Sequence, residues 1–168
     1  EVVLPARTGR SEFHAGVSIA EGEGKYKLTK VVTITPRFIL KNKLNEDLLV
    51  REPGSSNVLE LKSGDLVPLH FLRQVPEKQL CLCFPGVNNQ WSAPFNIANV
   101  GTIHVKLAKA NQRQRLIKVD IIMESATLFL HFSFETRHWP YSMRNESDTE
   151  FMFYQAVSAL VIEHLRCC

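Results

Sequence analysis

The sequence lacks any apolar run of the roughly 18–20 residues that a membrane-spanning helix needs. It also has little excess charge of either sign: the formal net charge is +3 across 168 residues. Such a balance permits contact with an acidic surface, but a nucleic-acid-binding domain typically carries a strongly basic face. With 45% hydrophobic and 22% charged residues, wholesale disorder is excluded, and the length predicts one or two folded domains.

Motifs of catalysis and metal binding are missing as well. The chain has no G-x-S-x-G elbow, no phosphate-binding loop and no H-E-x-x-H, and its six histidines form no H-x-x-x-H pair. Strands and helices do not alternate along the chain, so the sequence does not predict a nucleotide-binding sheet of the βαβ kind. We therefore expect no enzyme activity, no cofactor and no metal.

Only four cysteines occur, Cys81, Cys83, Cys167 and Cys168. Cys81 and Cys83 are two positions apart, on one face of a predicted strand, and too close along the chain to bridge easily. A C-x-C pair is a weak metal signal without a second pair at suitable spacing. The cysteines are expected to be reduced and metal-free.

The first residues, EVVLPARTGR, contain neither an initiator Met nor the apolar core of a signal peptide. This start leads us to expect a piece of a larger protein. A competing signal for secretion is the single Asn-x-Ser/Thr triplet, Asn145-Glu146-Ser147, which as a motif is an N-glycosylation acceptor. The structural alternative is an Asn whose short amide side chain ties down a turn.

What the sequence does contain is strand pattern, in short runs separated by turn residues. Alternation places Leu80, Leu82 and Phe84 on one face of a strand. The same alternation places two longer sets each on one face of a strand. The first set is Ile117, Val119, Ile121 and Met123, and the second is Leu128, Leu130, Phe132 and Phe134. Residues 37–52 and 57–72 are each predicted to form a hairpin, the second with its turn at 62–65. Strands recurring every 8–12 residues predict an all-β fold of antiparallel sandwich type.

An internal repeat is the most informative feature. FILKNKLNEDLLVRE (38–52) aligns with YSMRNESDTEFMFYQ (141–155), so that Phe38 matches Tyr141 and Asn42 matches Asn145, 103 positions later. That spacing is about one β-sandwich domain. A weaker match aligns residues 13–32 with 103–122. The recurrence favours a structural role for both Asn residues, because an amide can satisfy backbone groups where strands diverge.

These segments, with EGEGKYKLTKVVTITP and HWPYSMRN, strongly resemble the adaptor-binding region of the vacuolar-protein-sorting-thirteen family of chorein-type, bridge-like lipid-transfer proteins. The resemblance covers about residues 13–155 and is closest to fungal members and to the last repeats of the region. It implies a region, the VAB or SHR-binding domain, built of six β-sandwich repeats. Each repeat carries a signature Asn, which here corresponds to Asn42 and Asn145.

The function implied by this resemblance is adaptor binding rather than catalysis. Family members capture short Pro-x-Pro segments of adaptors on the endosome, mitochondrion or prospore membrane, and so direct the protein to membrane contact sites. The expected location is cytoplasmic and peripheral, with the rest of the lipid-transfer protein in cis. Exposed aromatic residues near a module junction are the candidates for peptide binding or inter-module packing: Phe38, Trp139, Tyr141, Phe151 and Phe153.

The same resemblance suggests a division of the chain. Residues 1–29 would be the closing strands of a preceding repeat, 30–130 a complete repeat, and 131–155 the opening strands of the next. Residues 156–168 match no family pattern, and they form a short tail with helical spacing.

Two other functions compete with adaptor binding. A secreted adhesion-type sandwich would suit the glycosylation triplet and the Cys-Cys end, but the immunoglobulin order of Cys, Trp and Cys is absent. Direct membrane contact would use the cations of KLAKANQRQRLIK, which are Lys106, Lys109, Arg113, Arg115 and Lys118. Cations spread over a solvated hairpin are the commoner explanation, so direct membrane contact is not expected.

Overall fold

The computed structural model of the protein describes residues 1–6, 10–86, 90–107, 115–136 and 144–151. The chain divides into two units, Glu1–His138 and Trp139–Cys168. All the regular secondary structure described below lies in the first unit.

The described residues of the first unit form an all-β fold, as predicted, with one 3₁₀ turn at Gly24–Tyr26. Its strands, in chain order, are β1 (Val2–Pro5), β2 (Ser11–Glu21), β3 (Lys30–Pro36), β4 (Phe38–Asn42), β5 (Leu48–Arg51), β6 (Leu59–Leu61), β7 (Leu66–Leu69), β8 (Phe71–Arg73), β9 (Gln79–Cys83), β10 (Phe95–Asn96), β11 (Gly101–Leu107), β12 (Arg115–Glu124) and β13 (Thr127–Phe134).

Two sheets enclose the main core. One has the order β11-β12-β13-β4-β7 and the other the order β10-β9-β5-β6. Neighbouring strands are antiparallel except β13 and β4, which run parallel with Leu128 opposite Phe38 and Phe132 opposite Asn42. The first strand of the sandwich therefore lies beside its last strand, although 90 positions separate their paired residues.

The predicted alternation is confirmed in the core. Leu80, Leu82 and Phe84 of the β9 region are buried, as are Ile117, Val119 and Ile121 of β12 and Leu128, Leu130 and Phe132 of β13. Phe134 is half-buried and packs against the same cluster. Met123 is the exception: it is 55% exposed and lies one residue from the end of β12.

Both predicted hairpins are wrong. Strand β4 pairs with β7, and β5 pairs with β6, so each pair of consecutive strands belongs to two different sheets. Residues 43–47 and 62–65 are crossings between sheets. Gly64, with φ of 83°, supplies the turn expected at 62–65, but that turn leads to the other sheet rather than back along the same one.

A third sheet is formed by the N-terminal strands, in the order β1-β2-β3, with β8 also paired to β2. Three consecutive residues of β2, His14, Ala15 and Gly16, are buried, and the ring of His14 lies 5.8 Å from that of Phe38 in the sandwich. Leu72 of β8 belongs to the main core. The N-terminal sheet therefore packs on the sandwich around His14 and Gly16 of β2 and Leu72 of β8.

The sheet pairings bear on the division into repeats. Strand β3, which was placed at the start of the complete repeat, pairs with β2 of the N-terminal sheet, and β13 continues to Phe134. Hydrogen bonding thus groups the strands of residues 38–134 other than β8 as one sandwich, and it groups β8 with the strands of residues 2–36. Whether these groups are successive repeats stays a prediction. The predicted helical tail, 156–168, lies outside the described residues.

Within the described part of the chain, no helix is long and apolar enough to cross a membrane.

Gly16 of the N-terminal sheet lies close to the backbone of the β12–β13 turn. A Cβ on Gly16 would lie 2.3 Å from the carbonyl oxygen of Ala126, in the β12–β13 turn. Gly16→Ala is therefore expected to force the backbones apart and to lower the free energy of unfolding by about 1–3 kcal/mol. Urea unfolding followed by tryptophan fluorescence measures this change.

Gly86→Ala is the matched control, because no atom lies within 4 Å of a Cβ at Gly86. The control is expected to change the unfolding free energy by less than about 0.5 kcal/mol. Equal stability of the two variants would show that the N-terminal sheet does not pack on the β12–β13 turn.

Candidate functional site: the Asn42 loop and the residues around it

Asn42 lies at the end of β4, where the chain leaves one sheet for the other. Its side chain is buried, with 1% exposed, and every polar atom of its amide is hydrogen-bonded. Nδ2 donates to the carbonyl oxygens of Glu46 at 2.9 Å, Leu61 at 3.0 Å and Lys62 at 3.1 Å. Oδ1 accepts from the backbone N–H of Leu44 at 3.0 Å.

These partners belong to both crossings between the sheets. Leu44 and Glu46 lie in the first crossing, 43–47, and Leu61 and Lys62 lead into the second, 62–65. Backbone bonds join the same two segments: Asn42 N–H donates to Asp65 O at 3.0 Å, and Gly64 N–H donates to Asn42 O at 3.1 Å. Asn42 therefore connects the two places where the chain changes sheet.

Side chains from the crossings complete this network. The Ser63 hydroxyl donates to Leu44 O at 2.7 Å, and Ser63 N–H donates to Asp47 Oδ1 at 2.8 Å. Asp65 Oδ2 accepts from Lys62 N–H at 2.9 Å. Backbone groups at strand ends need partners when buried, and these short polar side chains provide them.

Asn145 forms the same local loop in the second unit. Its Nδ2 donates to Thr149 O, four residues ahead, at 2.7 Å, and its Oδ1 accepts from Ser147 N–H, two residues ahead, at 3.0 Å. Asn42 bonds to residues at the same two offsets. The residues of the Asn145 loop are exposed, and Ser147, the third residue of the glycosylation triplet, also donates its hydroxyl to Asn145 Oδ1 at 2.8 Å.

The aromatic residues predicted to contact a peptide or a neighbouring module differ in how exposed they are. Phe38 was expected to be exposed, but it is 1% exposed because it points, with Leu40 and Asn42, to the inner side of β4. Phe151 is 53% exposed. Trp139, Tyr141 and Phe153 lie outside the described residues.

An ionic network, which the sequence pattern did not indicate, joins the N-terminal sheet to the rest of the unit. Glu12 on β2 forms an ion pair with Lys78, and both side chains are largely buried. Lys78 also donates to Val75 O at 2.7 Å. The ring of His14 lies between two carboxylates, 2.7 Å from Glu1 and 3.1 Å from Glu12.

This network shifts the titration of Glu12. The hydrogen bond from Lys78 is the largest influence, and it holds the pKa of the Glu12 carboxyl below its usual value against the opposing effect of burial. The charged form of Glu12 is therefore the one that the folded protein favours.

Charged residues on the outer face of the five-stranded sheet form a second polar cluster. Burial raises the pKa of Asp120, but hydrogen bonds from Thr102, at 2.7 Å, and Lys118 outweigh it, so the net shift is downward. His131 receives a hydrogen bond of 3.0 Å from Lys43. Burial and the nearby charges of Lys43 and Lys41 lower the pKa of His131.

A groove of about 420 Å³ lies beside the end of β5. Pro53, Val75 and Pro76 supply its apolar lining, and Glu52 and Arg73 are among the polar residues around it. Arg73 is fixed there, because its N–H donates to Glu52 Oε1 and its guanidinium donates to Pro53 O, both at 2.8 Å. The groove thus combines apolar walls with charges held in place.

The described cysteines and histidines form no cluster suited to a metal ion. Cys81 and Cys83 are buried, free thiols, and burial raises the pKa of both against the opposing charge of Arg51. No three His, Cys, Asp or Glu side chains in the described residues lie close enough together to hold a metal ion.

The family model for the adaptor-binding domain of vacuolar-sorting associated protein 13 matches residues 1–165. The match includes residues 156–165, which were expected to lie outside the family pattern. Intermembrane lipid transfer protein VPS13 of Chaetomium thermophilum is 58% identical over 155 residues, which are 92% of this chain and 5% of that protein.

More distant relatives carry the same general name. Intermembrane lipid transfer protein vps13D of Dictyostelium discoideum is 27% identical over 94% of this chain and 4% of its own length. The human VPS13D protein is 25% identical over 72% of this chain and 3% of its own length. The chain therefore spans about one-twentieth or less of the curated relatives described above.

Asn42→Ala tests the importance of the buried amide. The substitution leaves the N–H of Leu44 and the carbonyls of Glu46, Leu61 and Lys62 without this partner. Each buried polar group left unpaired costs roughly 1–3 kcal/mol, so we expect the free energy of unfolding to fall by at least about 2 kcal/mol. Asn57→Ala, on the exposed surface, is the control and should change stability by less than about 0.5 kcal/mol.

Chemical denaturation of both variants supplies the comparison. A loss at Asn42 no larger than that at Asn57 would contradict a structural role for the amide.

Glu12 should contribute to the pH dependence of stability. Because its folded-state pKa is lowered, the unfolded chain binds its proton first as pH falls. The stabilisation is thus present above the ordinary carboxyl pKa of about 4.3 and is lost as pH falls through the lower folded-state value. The urea midpoint of the wild type should therefore fall more between pH 7 and pH 3 than that of Glu12→Gln.

Glu60→Gln, at an exposed position, controls for the change of one carboxylate. It should retain the acid sensitivity of the wild type. Identical pH profiles for Glu12→Gln and Glu60→Gln would rule out the ion pair with Lys78 as a source of acid sensitivity.

Proposed function

Since this chain belongs to the family of VPS13 adaptor-binding domains, we propose that it binds adaptor proteins by their short Pro-x-Pro segments. The observation that carries the proposal is the match of the family model to 165 of the 168 residues. In this account the domain is a binding module of a lipid-transfer protein and performs no catalysis. Adaptors on the endosome, mitochondrion or prospore membrane would bring the protein to membrane contact sites from the cytoplasm.

The physical chemistry of such a segment supports the proposal. A Pro-rich segment is already extended, so it loses little conformational entropy on binding. Sheet edges and apolar grooves are the usual acceptors of extended peptides. Among the described residues, surfaces with suitable chemistry include the groove of Pro53, Val75 and Pro76 and the exposed ring of Phe151.

Phe38 no longer qualifies as a contact residue in this proposal, because its ring is part of the core. Trp139, Tyr141 and Phe153 remain candidates for peptide binding or inter-module packing. Asn42 and Asn145 are assigned a supporting role, since their amides hold loops in shape. A variant of either Asn is therefore a poor probe of direct peptide contact.

The direct test is titration of the protein with a synthetic Pro-x-Pro peptide of about 15 residues and with the same peptide carrying Ala at both prolines. Isothermal calorimetry should show at least about a tenfold weaker Kd for the Ala peptide, equivalent to about 1.4 kcal/mol. Equal binding of the two peptides, or binding of neither, would count against Pro-x-Pro recognition.

Single substitutions then locate the site. Val75→Asp introduces a charge into the groove, and Val58→Asp is its control at an exposed valine that does not line the groove. Weakened binding by Val75→Asp alone would assign the groove. Weakened binding by Phe151→Ala alone would assign the second unit.

A further inference from the structure

The groove beside the end of β5 carries more negative than positive charge. Its lining contains two carboxylates, Glu52 and Glu77, but one guanidinium, that of Arg73. Among the described residues, no cationic side chain lies within ion-pair distance of either carboxylate. The groove therefore presents unneutralised negative charge next to its apolar walls.

The hydrogen bonds around the groove leave this imbalance in place. Glu52 Oε1 accepts from the backbone N–H of Arg73 at 2.8 Å, whereas the guanidinium of Arg73 donates to Pro53 O at 2.8 Å. Glu77 Oε2 accepts from Gln79 Nε2 at 3.0 Å. Both carboxylates thus have neutral partners, and the cation of the groove is already bonded to a carbonyl oxygen.

Lys78, which lies between two groove residues in the chain, does not alter this balance. Its ammonium group forms an ion pair with Glu12 on β2 and donates to the carbonyl oxygens of Arg73 at 3.1 Å and Val75 at 2.7 Å. Its charge is thus neutralised away from the groove. The same bonds fix the turn that carries Val75 and Pro76, so this wall is in place before a ligand binds.

The size of the groove suits a short extended segment. Its volume of about 420 Å³ falls within the range of roughly 300–1,000 Å³ that is usual for ligand pockets. In the polyproline conformation a chain rises about 3.1 Å per residue, so the two rings of a Pro-x-Pro segment lie about 6 Å apart. The residues that flank the prolines then lie at the rim, where the side chain of Glu77 is exposed.

We propose that the groove selects Pro-x-Pro segments with a lysine or arginine directly beside the prolines, and that Glu77 is the residue that recognises this cation. The inference rests on the proposed function, since it places the Pro-x-Pro segment in this groove. Complementary charges across an interface determine specificity more than raw affinity. An acidic neighbour of the prolines would instead meet the carboxylates of Glu52 and Glu77, so adaptors that share the two prolines would be distinguished by the flanking charge.

The test uses isothermal calorimetry with three Pro-x-Pro peptides of equal length, which carry Lys, Ser or Glu on both sides of the prolines. The Lys peptide should bind the wild-type protein at least about fivefold more tightly than the Glu peptide, with the Ser peptide between them. This ratio should shrink in about 0.5 M salt, because salt screens exposed charges.

Glu77→Lys reverses the charge at the rim. It should weaken the binding of the Lys peptide by at least about fivefold and strengthen the binding of the Glu peptide by at least about threefold. Misfolding cannot produce these opposite changes. Glu60→Lys is the matched control, because it alters the net charge equally at an exposed position that does not line the groove. It should change neither Kd by more than about twofold.

The side-chain amide of Gln79 supplies a second readout, because it donates to the carboxylate of Glu77. In NMR spectra recorded at equal saturation, the Lys peptide should shift the Gln79 Nε2 proton resonances more than the Glu peptide does. Equal shifts would show that the flanking cation does not reach Glu77, and would overturn the proposal.

The outcomes separate this inference from the proposed function. Equal Kd values for the Lys and Glu peptides, tighter binding of the Glu peptide, or the same response in Glu77→Lys and Glu60→Lys would overturn the charge selection alone. Binding of none of the three peptides, or equal binding of versions with Ala at both prolines, would overturn the proposed function and this inference with it.

Discussion

The hydrogen bonds of the Asn42 amide determine how this chain can form a sandwich. A strand that leaves one sheet for the other carries backbone groups into a region where neither sheet can pair them. Here the chain crosses twice at the same place, between β4 and β5 and between β6 and β7. One side chain serves both crossings, because its N–H groups meet carbonyls of both segments while its oxygen meets the N–H of Leu44.

The same local geometry at Asn145 shows that the loop belongs to the short sequence around the Asn. Bonds to residues two and four ahead form whether the loop is buried, as at Asn42, or exposed, as at Asn145. The additional bonds of Asn42 come from residues about twenty positions later, in the second crossing. The local loop and the long-range connection are therefore separable, and only the second ties the two sheets together. The adaptor-binding function that we propose depends on surfaces that this framework holds.

Much of the fold could be predicted from alternation and turn residues, but the pairing of strands could not. Leu80, Leu82 and Phe84 are buried as expected, since a period of two directly encodes a face. The two predicted hairpins are wrong because residues such as Gly64 and Asp65 form a tight turn both in a hairpin and in a crossing between sheets. Nothing in a local turn specifies whether the next strand joins the same sheet or the opposite one.

The candidate site was only partly predictable for similar reasons. Recurrence pointed to Asn42 and Asn145, whereas Phe38, named among the exposed aromatic candidates, is buried because it alternates with Leu40 and Asn42 on the inner side of β4. That alternation was the available signal. The ion pair of Glu12 and Lys78 joins residues 66 positions apart, and no sequence pattern at either residue indicates the other. Long-range contacts of this kind follow from the order in which the strands pair, and the sequence pattern does not determine that order.

Hydrogen exchange of the Asn42 side-chain amide, followed by NMR, tests most directly whether this residue connects the two crossings. The account predicts that the Asn42 Nδ2 protons exchange only when the sandwich unfolds, as slowly as the backbone amides of the core strands, whereas those of an exposed Asn such as Asn57 exchange freely. Rapid exchange at Asn42 in a protein whose core amides remain protected would show that the crossings hold without this side chain, and would contradict the account.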